Sequence, residues 1–170
     1  MIKLILILIS VLPVLLCEAA ERENLALRGL VSVSSGEQPD IINDGYRDGL
    51  YWDGALTSKW TVELDLGEVL LIDTVKLFFW WGDTRYYKYF MTISADRVNF
   101  TEIADGRTNT VPPTKDGLTF TFTPTKSRFV RLHILSNREQ GRSGHVREIE
   151  VYGNKILPNE ITNLNQGEQQ

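Results

Sequence analysis

Residues 60–66, Trp-Thr-Val-Glu-Leu-Asp-Leu, alternate apolar and polar side chains without a break. Alternation of period two belongs to a strand with one face on a core. It sends Trp60, Val62, Leu64 and Leu66 inward and Thr61, Glu63 and Asp65 outward. Related runs recur. Ile72–Trp80 sets Val75, Leu77 and Phe79 on one face, and Gly117–Phe122 does the same with Leu118, Phe120 and Phe122. Tyr86–Ile93, Phe129–Ile134 and Val146–Tyr152 are three more strands. Gly67-Glu68 reads as the turn closing the first strand, and Ala95-Asp96-Arg97 as another. No twelve-residue segment carries a capped 3.6-residue apolar stripe. The chain is therefore expected to be all-β, with two packed antiparallel sheets in a β-sandwich or jelly roll.

The alternating region spans Asn24 to Gly153, with no linker or repeat, so the domain is placed at 21–153. Ahead of it, Lys3 precedes an uncharged run, Leu4–Cys17, and then the small residues Ala19 and Ala20. That is the signal-peptide pattern, and the run is short for a membrane span. Residues 1–20 are expected to be removed on export, which places the protein outside the cytoplasm. An uncleaved anchor and a buried terminal element are the other readings of this stretch. Leu16 is not the small residue that precedes a lipidated cysteine, and cleavage after Ala19 or Ala20 is expected to remove Cys17 with the signal. Residues 154–170 are rich in Asn, Gln and Glu and are expected to form a disordered polar tail.

A single Cys excludes an intramolecular disulfide and a cysteine-built metal centre, and two His leave little for a His-rich zinc site. The net charge of -4 disfavours non-specific nucleic-acid binding. There is no nucleophile elbow, phosphate-binding Gly loop or zincin motif, so no enzyme is expected. Asn99-Phe100-Thr101 has the N-glycosylation acceptor pattern. Trp52 and Trp60 read as core or loop-packing residues. Arg131, flanked by apolar residues, reads as a structural group tying down carbonyls or a carboxylate.

The order of short motifs adds a family. Asn24-Leu25-Ala26-Leu27, Asn43-Asp44-Gly45, Trp52, Trp60 to Gly67, Ser94 to Phe100, Arg128 to Leu132 and Arg147 to Gly153 follow one another along the domain. In that order they resemble the coagulation factor V/VIII type C, or discoidin, family, which includes family 32 carbohydrate-binding modules. The resemblance implies an eight-stranded jelly roll with adjacent termini, acting as a non-catalytic binding module. It also implies a structural calcium, with side-chain ligands at Asp44 and Glu148. Read alone, the Asp44 turn is equally an Asx turn without metal.

A glycan or polysaccharide, read by its terminal sugar, is the expected ligand. An extracellular protein or matrix and an anionic membrane surface are the alternatives. A sugar site needs a flat apolar plate ringed by polar groups. The loops 50–53, 80–85 and 137–145 supply both, and the candidate ligand residues are Asp53, Trp81, Arg85, Arg142 and His145. Asp53 stands where sugar-binding relatives often carry a His.

Overall fold

The computed structural model describes residues 22–55, 59–137 and 143–154. The expected signal segment 1–20, the tail from residue 155 and the candidate Arg142 lie outside the described residues. The strands are β1 (Leu30–Val33), β2 (Trp52–Asp53), β3 (Trp60–Phe79), β4 (Tyr87–Ser94), β5 (Thr101–Gly106), β6 (Leu118–Asn137) and β7 (His145–Asn154). Short 3-10 turns at Leu25–Arg28 and Pro39–Asn43 flank β1.

Two twenty-residue strands set the architecture. The first half of β3 pairs with β1 on one side, and its second half pairs with β7. β6 runs antiparallel along β3 from Leu118 to Ile134, and its second half also pairs with β4, which pairs with β5. One layer is therefore β1, the start of β3, the end of β6, β4 and β5. The other is β2, β7, the end of β3 and the start of β6. The halves of β3 and β6, with β1, β4, β5 and β7, make the eight segments of the expected sandwich, and two-residue β2 is an added edge.

This corrects the expected turn at Gly67-Glu68. The chain bends there without ending the strand. Gly67 has φ +83°, a conformation that costs a glycine little, and its N–H donates to the Asp65 carboxylate at 2.8 Å. The register against β6 slips between Asp65 and Leu70. That irregularity turns the strand from one layer into the other.

The alternation holds along the inner faces. Trp60, Val62, Leu64, Val75, Leu77 and Phe79 are buried in one core with Met91, Leu132, Ile134 and Val151. Trp52 is fully buried as well. Glu63 faces outward as the alternation predicts, yet it is buried rather than solvent-exposed. It lies on the outer face under a guanidinium cover. Arg97 reaches Oε1 at 2.9 Å, and Arg131 donates Nε to Oε2 at 2.9 Å and Nη2 to the same oxygen. Arg131 also lies 4.0 Å from the Phe100 ring centre. The carboxylate is the partner expected for Arg131.

Candidate functional site

The end of β3 and the starts of β2, β4 and β7 meet at one end of the sandwich. β2 places Asp53 directly across from His145 of β7. The Gly54 N–H donates to the Gly144 carbonyl at 2.9 Å, and the Trp80 N–H donates to the His145 carbonyl at 3.3 Å. These backbone bonds draw the three loops together.

His145 is the hub. Its Nδ1 lies 2.9 Å from Arg85 Nη1 and 3.1 Å from the Tyr87 hydroxyl, and its Nε2 lies 3.6 Å from Asp53. Arg85 Nη1 also lies 3.3 Å from Nε2, and because a guanidinium only donates, the neutral ring meets it with its single acceptor nitrogen. Burial holds the imidazole below its usual pKa, opposed by the Asp53 charge and aided by Arg85. Tyr87 is fully buried, stacks on Phe79 at 4.3 Å, and has its phenol pushed up by burial.

Arg85 is clamped from two more sides. Asp83 takes Nε at 3.1 Å and Nη2 at 2.9 Å, and the guanidinium lies 4.4 Å over the Trp80 ring. Tyr51 closes the group, 5.8 Å from Trp80 and edge-on to His145 at 5.3 Å. The outcome is a rigid face of rings and planar hydrogen-bonding groups. An open depression of about 440 Å³ adjoins it, lined by Glu37, Gln38, Ile41, Tyr51, Asp53 and Ser143.

Asp53, Arg85 and His145 of the sequence candidates are thus brought into one network. His145 is buried beneath Tyr51, Trp80 and Arg85, so it supports the face, while Asp53 stands exposed beside it. Strict alternation after Phe79 would have turned Trp81 inward. It is 37% exposed because β3 stops at Phe79. Trp80 is half-buried, and Arg147 lies between Trp81 and Tyr51, 5.4 and 5.8 Å from their ring centres. Tyr87 and Arg147 were missed as site residues. Nothing in a linear reading marks them, since their partners are distant in sequence: Phe79 and His145 for Tyr87, and Gly49, Tyr51 and Trp81 for Arg147.

The Asp44 turn lies nearby. Asp44 accepts from the Tyr46 N–H at 2.8 Å, which is the Asx turn, and the Gly45 N–H donates to both Glu148 oxygens at 3.3 and 3.2 Å. Glu148 is fully buried, and its carboxyl is pushed up to about 8. Burial is the main cause; the Gly45 N–H opposes it, and the Asp44 and Glu150 charges add to it. The two expected calcium ligands, Asp44 and Glu148, thus lie side by side, one exposed and one buried. Among the described residues no group of three or more His, Cys, Asp or Glu converges. The Gly49 carbonyl of this loop accepts from Arg147 Nη1.

The F5/8 type C domain model matches residues 30–149, and the chain belongs to that family. No curated protein matches the sequence. Solved structures share the fold. The family 89 glycoside hydrolase from Clostridium perfringens is 23% identical with a TM-score of 0.67, and the match covers 78% of this chain. This chain spans only 15% of that enzyme's length. Module CBM32-6 of the same organism's enzyme is 24% identical with a TM-score of 0.64, covering 77% of this chain and 99% of the module. Chitosan-binding module 1 of a chitosanase/glucanase from Paenibacillus sp. IK-5 is 24% identical with a TM-score of 0.63, covering 77% and 99%. Among the described residues no helix is long and apolar enough to cross a membrane.

Proposed function

We propose that the protein is an exported, non-catalytic carbohydrate-binding module, reading glycans through the face of Tyr51, Asp53, Trp80 and Arg85. The observation that carries this reading is the way Arg85 is held. Asp83, His145 and the Trp80 ring fix the guanidinium from three sides beside an exposed carboxylate and an aromatic edge. Sugars need that combination: apolar ring faces for their C–H surfaces, and planar donors and acceptors for hydroxyls. A preordered face also loses little side-chain entropy on binding. The family membership and the likeness in fold to a chitosan-binding module agree with it.

A glycan array followed by titration calorimetry on the full chain tests the reading. Tyr51→Ala and Arg85→Ala are expected to weaken binding at least tenfold while the fold survives. Saturable binding to anionic vesicles with no glycan bound would point instead to a membrane ligand, and binding to neither to a protein partner.

Asp44 and Glu148 are proposed to hold a structural calcium that ties the 44–49 turn to β7. Its charge would let Glu148 remain ionised in a buried position. The role is mechanical support of the loop that carries Tyr51.

A further inference from the structure

Nine arginines fall among the described residues, and eight of them are ion-paired: Arg22, Arg28, Arg47, Arg85, Arg97, Arg107, Arg128 and Arg131. Arg147 is the exception. Among the described residues it has no carboxylate partner. Its Nη1 donates to the Gly49 carbonyl, and its Nε is buried without a hydrogen-bond partner. Its guanidinium lies between Tyr51 and Trp81, which are 38% and 37% exposed, beside the more exposed Leu50. A surface built this way offers a positive, planar, multi-donor group between two aromatic plates, with no described carboxylate in ion-pair contact with it. Tyr51 belongs both to this group and to the Trp80–Arg85 face, so the two surfaces are continuous.

We propose that Arg147, Trp81 and Tyr51 form a second subsite that takes an acidic sugar unit, carboxylated or sulfated, of the same glycan bound at the Asp53–Arg85 face. This rests on the carbohydrate reading of that face. A guanidinium engages a carboxylate or sulfate through paired N–H donors, with geometric selectivity as well as charge. Trp81 gives the sugar ring an apolar plate. The Asp53 side is a poor place for the same anion, because Asp53 and Glu37 both line the adjoining depression. The ligand is therefore an oligosaccharide with its acidic unit on the Arg147 side, and a single terminal sugar fills only part of the face.

The test is an array of matched glycans that differ only in a carboxylate or sulfate, with the full chain and its Arg147→Gln, Arg147→Lys and Trp81→Ala variants. The wild type is expected to bind the acidic member of a pair at least tenfold more tightly. Arg147→Gln should abolish that preference, so that it binds both members of a pair with equal affinity. Arg147→Lys should keep part of it, as a charge without the planar fork. If Arg147→Gln does not fold, Trp81→Ala reads the same subsite and should lose affinity for longer acidic chains only. Equal binding of both members by the wild type, or an unchanged preference in Arg147→Gln, overturns the proposal and leaves the glycan reading standing. Failure to bind any glycan overturns the glycan reading itself. Arg147-dependent binding to phosphatidylserine vesicles alone assigns the anion to a lipid headgroup and also overturns the proposal.

Discussion

Taking one arginine out of the guanidinium cover on Glu63 should strand a buried carboxylate and lower the stability of the fold. Glu63's side chain is 8% exposed and takes three charge-assisted contacts, two from Arg131 and one from Arg97. Arg131→Met removes the two contacts on Oε2 and the guanidinium over Phe100, and keeps the aliphatic bulk. Arg97 is the remaining partner, and at 62% exposed it compensates weakly. Breaking a buried pair by removing one partner costs about 3–5 kcal/mol. With Arg97 retained, a cost of about 2–3 kcal/mol is expected, including the lost contact with Phe100. For a chain of this length that lowers the melting temperature by roughly 4–12 °C. The second arm decides the cause. Glu63→Leu with Arg131→Met removes the stranded charge as well, and such replacements are often close to neutral. The double variant is therefore expected within about 1 kcal/mol of the wild type. Urea unfolding of all four proteins measures the cycle. An Arg131→Met cost below about 1 kcal/mol, or a double variant costing the sum of the singles, refutes the reasoning.

Other expectations follow from equally local geometry. A Cβ at Gly153 would come within 2.2 Å of the Leu71 carbonyl oxygen across the β3–β7 pair, so Gly153→Ala should lower the unfolding midpoint in urea by forcing those strands apart. His145 is neutral and buried, with its folded pKa below the usual 6.5, so the unfolded state binds the extra proton first. Its contribution to stability is complete above pH 6.5 and falls as pH drops through the folded pKa. The difference between wild-type and His145→Gln melting curves across pH 4–8 isolates that slope. If calcium is held at Asp44 and Glu148, chelation lowers the melting temperature of the wild type and leaves Asp44→Asn unmoved, as read by differential scanning fluorimetry.

The inner faces were legible because period two is a direct consequence of strand geometry. Trp60, Val62, Leu64 and Leu66 sit where alternation puts them. What alternation cannot report is where a strand bends. Gly67 carries the composition of a turn, and only pairing with β6 on both sides of the irregularity makes β3 continuous. β1, β2 and β5 escaped notice because they are short edge strands of four, two and six residues, too brief for alternation to register. Glu148 and Glu150 look outward by pattern. They are buried because the 39–49 segment folds over β7, where Gly45 meets Glu148 and Arg47 pairs with Glu150 at 2.5 Å. In the site, the loops were visible as clusters of aromatic and polar residues. Their convergence on His145 was not, since it depends on Asp53 lying across from His145 in the β2–β7 ladder.

The long β3–β6 ribbon has a consequence in time as well as in space. Its paired residues lie between 41 and 74 positions apart in the chain, from Leu77 with Leu118 to Trp60 with Ile134. Both layers are built on it, so each depends on the same long-range pairing. Folding must wait for one distant encounter, and topologies ruled by such encounters fold on the scale of milliseconds to seconds. In that interval the edges of β1 and β5 have no finished sheet behind them.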